Sequence, residues 1–193
     1  MRAMTLEQLR RIMPTAGSRA AIYLDHLNEA MVEFGVNTLG RQAAFLAQVA
    51  HESGQLRYVR ELASGVAYTW REDLGNTDPE AIAAAEACGE EVGPFYKGHG
   101  LIQITGYANH KACGEALGLD LVHSPTLLES PREAARSAAW FWQTHDLNRY
   151  ADQGDFDGVC DVVNRGHKTR REGDALGYAD RIAAHERAKD WLA

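Results

Sequence analysis

Apolar positions along this chain recur mostly at helical spacing. Thr5, followed by Glu7 and Gln8, predicts a helix start, with Thr5 as the cap and Gln8 positioned to reach back to the cap N–H. Pro14 ends that helix. Ser18 opens a second, with Ile22, Leu27, Met31 and Phe34 on its apolar face and Gly35 at its end. The clearest helix is the third, over 39–51, where Phe45, Leu46 and Val49 stand among alanines with few breakers before Gly54. Asp78–Pro79 begins an alanine- and glutamate-rich helix over 79–91. Further helices are predicted over 108–117, 131–145, 156–163 and 177–191.

Between 56 and 105 the pattern changes. Tyr58, Val59 and Val66, around a Ser64–Gly65 turn, predict a loop or a short β-hairpin over 56–68. Gly98, Gly100 and Gly106 bracket LIQIT, read as a short extended segment in which Gln103 and Thr105 share one face while Ile102 and Ile104 face the core. No repeat or low-complexity stretch is visible. The expectation is a mainly α protein with one or two short β pieces.

Composition narrows the picture. A chain of 193 residues suits one domain over 1–193, and 45% apolar with 24% charged residues is ordinary for a globular protein. The formal charge of −7 argues against the broad basic face of a nucleic-acid binder, and the cluster Arg165, His167, Lys168, Arg170, Arg171 reads as a solvated loop. Three cysteines without CxxC spacing fit buried apolar residues in a protein made in a reducing cytosol. No apolar run approaches the ~20 residues of a membrane span. MRAMTLEQLRRIMP lacks the apolar stretch of a signal peptide, so work beyond the membrane would need another exit.

Two acids draw attention. Glu52 ends the apolar helix AFLAQVAHE, and burial there would raise a carboxyl pKa toward that of a general acid; the same position also suits a solvated last turn. Glu61 follows nine residues later. An inverting glycosidase needs two carboxyls ~6.5–9.5 Å apart, a separation that a turn after Gly54 permits. Flanked by Arg57 and Arg60, Glu61 also reads as a surface ion-pair residue. His51–Glu52 begins a zinc-protease HExxH, but Gln55 replaces the second histidine. No phosphate-binding, serine-nucleophile or calcium-loop motif is present, so neither metal nor cofactor is expected. Gln103, Thr105 and Asn109 offer amide and hydroxyl groups suited to a sugar groove. Of Trp140, Phe141 and Trp142, successive on a helix, at least one should be core while another is free to line a cleft. Asn164 ends an apolar helix, where it also suits a C-cap.

Four segments in order resemble glycoside hydrolase family 19: AFLAQVAHESG (44–54), YKGHGLIQITGYANH (96–110), AAWFWQTHDLNRYAD (138–152) and DVVNRG (161–166). The resemblance implies a mainly α, lysozyme-like domain of two lobes with a short β-hairpin and a substrate cleft. It makes Glu52 the general acid and Glu61 the general base, with Thr105 helping to hold the attacking water. Gln103, Asn109 and Asn164 match substrate positions, Tyr96 and Lys97 more loosely; His51 and Trp140 complete the candidate substrate-binding set. Arg165 departs from the family's VNGG, standing where its first Gly would be. The compact length, few cysteines and missing signal peptide resemble the phage endolysin branch. This implies a monomer made in the host cytoplasm that cuts peptidoglycan glycan strands once the membrane has been permeabilised. A chitinase of the same family and an inactive wall-binding protein are the alternatives.

Overall fold

A computed structural model of the chain describes residues 3–193; the reading of the amino terminus lies outside it where it falls on Met1 and Arg2. Among the described residues the helices are α1 (Leu6–Ile12), α2 (Arg19–Glu33), α3 (Leu39–Glu52), α4 (Pro79–Ala87), α5 (Val92–Phe95), α6 (Tyr107–Leu117), α7 (Pro131–Thr144), α8 (Leu147–Asp152), α9 (Phe156–Arg165) and α10 (Tyr178–Leu192). Short 3-10 turns occupy Val66–Tyr68, Glu72–Leu74 and Pro125–Glu129.

Local chemistry sets most of these boundaries. The Thr5 hydroxyl accepts from Gln8 N–H while the Gln8 side chain accepts from Thr5 N–H, a reciprocal cap. Asp78 accepts from Glu80 N–H at 2.9 Å ahead of Pro79. Ser18 precedes α2 but makes no side-chain cap bond, and Ile22 is exposed where a core residue was expected; Tyr23 takes that place. The helix expected over 79–91 stops at Ala87, because Gly89 turns left-handed (φ +73°) before α5 begins.

At the centre lies α3, buried at every position from Gln42 to Ala50. Its alanines let the backbones of α10, α8 and α9 come close, and Phe45 meets Trp142 edge-on at 5.5 Å. A second, much smaller apolar cluster joins Ala81, Ala84 and Ala85 to Val92, Phe95, Tyr96 and Tyr107. Cys113 and Cys160 are buried as expected, whereas Cys88 is exposed.

Of the loop or short β-hairpin expected over 56–68, the structure has the loop. That stretch passes through a left-handed Gly65 into a 3-10 turn, and the antiparallel contacts are single bridges, Arg60 to His99 and His99 to Ile104. LIQIT is likewise a tight turn, with Gln103 itself left-handed (φ +60°). The face assignment survives: Ile102 and Ile104 are buried, while Gln103 and Thr105 are half-buried. No helix among the described residues is long and apolar enough to cross a membrane.

Candidate active site

The end of α3 turns the chain toward the second acid. Ser53 Oγ donates to Val49 O and accepts from Leu56 N–H, and Gln55 and Leu56 both take left-handed backbone (φ +58° and +67°). Two consecutive non-glycine residues in that region cost on the order of 1–3 kcal/mol each, strain of a kind that clusters at functional sites. Beyond this turn Glu61 lies beside the 98–106 segment, its N–H donating to Gly98 O at 2.8 Å.

Glu61 is held at both oxygens: Tyr68 Oη–H donates to Oε1 at 2.9 Å, and Gly98 N–H donates to Oε2 at 3.1 Å. Burial, and next the bond to Glu61, push the Tyr68 phenol above its ordinary value, which keeps it a donor. Glu52 is held differently. Its Oε1 accepts from Arg181 Nη2, while Oε2 makes no hydrogen bond among the described residues. Arg181, on α10, is only 1% exposed; it also donates to Gln48 and, through Nε at 3.0 Å, to Leu176 O. The apolar burial expected around Glu52 is therefore replaced by a fixed cation. His51, one residue earlier, pairs with Asp180 at 2.7 Å and lies against Gly177.

The structure also holds a groove of roughly 460 Å³. It gathers Gln103, Thr105 and Asn109, Trp140 and Phe141, and Asn164 from segments far apart in sequence. Neither glutamate lines it, but each is tied to it. Leu176 N–H donates to Asn164 Oδ1 and Leu176 O accepts from Arg181, linking the groove to Glu52. Gly98, which holds Glu61, packs so tightly on the Gln103 side chain that an added Cβ would come within 2.7 Å of its Oε1. Thr105 donates to Gln103 O at 3.0 Å, and Asn109 donates to Thr105 O at 2.8 Å.

Tyr96 is a correction. It is fully buried in the smaller cluster, its hydroxyl donating to Val122 O at 2.6 Å, and it cannot face a substrate. Lys97 and His51 do not line the groove either; Lys97 instead donates to Ala63 O at 3.0 Å. Asn164 is not a cap, since α9 continues to Arg165 and Gly166 ends it. Arg181 was missed altogether, because an arginine in YADRIAAHERAKD carries no local signal of a partner 129 positions away. Among the described residues no group of three or more His, Cys, Asp or Glu is arranged to hold a metal ion.

A mainly helical domain with one acid held by a guanidinium, another by paired donors, and an amide-lined groove has the make-up of a glycoside hydrolase. The family model for glycoside hydrolase family 19, chitinase class I, matches residues 35–170. The chain belongs to glycoside hydrolase family 19. Chitinase 11 of rice (Oryza sativa subsp. japonica) is 33% identical over 154 residues, covering 63% of this chain and 60% of its own. Inactive chitinase-like protein 1 of Hevea brasiliensis is 28% identical over 181 residues, covering 82% and 57%. This chain thus spans under two thirds of each relative's length. A bacterial family 19 chitinase of known structure superposes with a TM-score of 0.75 at 25% identity, covering all of this chain and 96% of the other. Arg181 lies beyond the stretch that the family model matches.

Proposed function

We propose that this protein, a single catalytic domain, hydrolyses the β-1,4 glycosidic bonds of bacterial peptidoglycan by inversion, with Glu52 as acid and Glu61 as base. In this reading the two unequal apolar clusters belong to two lobes, and the glycan lies between them along the groove. The observation that carries the mechanism is the hold on Glu61. Two donors, Tyr68 Oη–H and Gly98 N–H, keep its carboxylate oriented, as a base that positions and activates water requires. Glu52 commits one oxygen to Arg181, which leaves the other to carry a proton to the leaving sugar oxygen. Thr105, bonded to Gln103 O in the same segment as Gly98, helps hold the water; Gln103, Asn109, Trp140 and Asn164 hold the sugars. In this reading the enzyme reaches the wall after the membrane is breached, and acts as a monomer.

A second reading, chitin hydrolysis, is favoured by the rice relative's name. The Hevea relative, named as inactive, keeps the non-enzymatic reading in view. The test is mass spectrometry of purified peptidoglycan and of chitin oligomers after digestion by wild type, Glu52→Gln and Glu61→Gln. We expect soluble muropeptides from wild type and a loss of at least about a hundredfold in rate for each folded variant. Reducing N-acetylmuramic acid ends would make it a muramidase, and reducing N-acetylglucosamine ends a glucosaminidase. Release from chitin alone would move the substrate to chitin; release from neither would leave an inactive scaffold. Near-full turnover by either variant would reassign that residue.

A further inference from the structure

The groove has a charge of its own. Its titratable lining residues are Arg71, His145 and Arg165, and no aspartate or glutamate lines it among the described residues. The chain as a whole carries a formal charge of −7, yet the charged side chains facing this groove are cations, each with an aspartate partner outside the lining: Asp73 for Arg71 and, at 3.7 Å, Asp174 for Arg165. Chitin, a polymer of uncharged N-acetylglucosamine, offers two arginines nothing ionic to bind. Peptidoglycan differs in this respect: every second sugar bears a lactyl group, usually amide-linked to a short peptide with free carboxylates.

Both guanidiniums are steadied with donors to spare. Arg71 gives Nε and Nη2 to Asp73 at 2.6 and 2.5 Å, which leaves Nη1 and one Nη2 proton unused. Arg165 gives one Nη2 hydrogen to Asp174 O at 2.6 Å and uses no other donor in a hydrogen bond. Their side chains remain 51% and 40% exposed. They come from separate stretches, the turn before Glu72–Leu74 and the end of α9, and line one groove with Gln103 and Asn164. Arg165 is also the residue that stands in place of the family motif's glycine, so the departure adds a cation where the motif has no side chain. Arginine suits such a role, since its planar fork matches a carboxylate in paired hydrogen bonds.

We infer that Arg71 and Arg165 are specificity-determining residues that bind the carboxylates of a peptide-bearing glycan strand. This deepens the peptidoglycan reading and rests on it. The test compares wild type, Arg71→Gln, Arg165→Gly and the double variant, each checked for folding by circular dichroism and thermal melting. Steady-state kcat/KM is measured on intact peptidoglycan strands, on strands stripped of peptide by an amidase, and on chitohexaose. The expected result is a fall of about tenfold or more in the ratio of intact peptidoglycan to chitohexaose for the double variant, carried mainly by KM. Wild-type cutting of peptidoglycan should also weaken with added salt more steeply than the double variant's. A loss seen on intact but not on stripped strands assigns the contact to peptide carboxylates; a loss on both assigns it to the lactyl carboxylate or its acyl linkage. If wild type cuts peptidoglycan and the folded variants keep the wild-type ratio, this inference is overturned and the substrate reading stands. If wild type does not cut peptidoglycan, both fall together.

Discussion

His110 Nδ1 lies 2.8 Å from Gly106 O, and because a carbonyl only accepts, that nitrogen carries the proton. Burial pushes His110 down to about 4 and His99 down to about 3, so both rings are neutral at pH 7. His110 Nε2 must then accept, at 3.2 Å, from His99 Nδ1. That leaves His99 Nε2 with a lone pair facing Glu129 Oε1 at 3.5 Å, two buried acceptors without a donor between them. The contact has the geometry of an ion pair and the chemistry of a repulsion. Glu129→Gln supplies an N–H for His99 and forfeits only a long contact to the half-exposed Arg60. The expected gain is about 0.5–1.5 kcal/mol, read as a rise of a few degrees in Tm. A lower Tm would show that a proton already sits between His99 and Glu129. At this scale the sequence revealed what was contiguous. Gln103, Thr105 and Asn109 lie in one motif and do share the groove, but Tyr96, in the same motif, points its ring into the core. Arg181 and its bond to Glu52 depend on packing between distant helices, which spacing does not encode.

Among the elements, the pairing of α3 with α10 determines the acid's surroundings. Gly177, left-handed at φ +69°, precedes α10, and a Cβ there would collide with the His51 ring. Gly177→Ala combines that clash with an unfavourable backbone, and it moves His51 or the start of α10, each next to a member of the Glu52–Arg181 pair. We expect a loss of at least about 1 kcal/mol in stability together with reduced kcat, measured by urea denaturation and turnover. Unchanged kcat in a destabilised Gly177→Ala protein would separate this packing from catalysis. The helices themselves were largely legible: α1, α3 and α4 announce their starts through Thr5, the alanine-rich run and Asp78–Pro79. The 56–105 region was less so. Single bridges and left-handed residues such as Gln103 arise from tertiary hydrogen bonds, and alternation of apolar and polar residues looks the same in a tight turn as in a strand.

For the whole molecule, buried histidines make stability depend on acidity. Burial pushes His110 and His185 each down to about 4, His185 lying flat on Phe156 with ring centroids 3.9 Å apart. Their folded values lie below the ordinary 6.5 or so of an unfolded chain, so between about pH 6.5 and 4 unfolding takes up protons. Stability contributed in this way is complete above that window and declines as pH falls through it, by up to about 1.4 kcal/mol per unit of separation. Paired carboxylates such as Glu33 and Asp152, held low by Arg136 and Arg41, begin to withdraw their share below about pH 5 and continue to do so at still lower pH. Urea midpoints should therefore fall already from pH 7 to pH 5, before the carboxylates contribute. A flat profile over that range would mean that these rings stay hydrated in the folded protein.

The Arg181–Glu52 bond also has a meaning in time. Both glutamates and every groove side chain precede residue 167, but the cation that steadies the acid is joined to the chain 129 positions after it. At typical rates of synthesis, about 5–20 residues per second, roughly ten seconds separate the two. Throughout that interval Glu52 is without Arg181, and a chain cut short before residue 181 never acquires it. If Glu52 is the acid proposed above, its contact with Arg181 is the step that synthesis leaves until after both glutamates and the groove are in place.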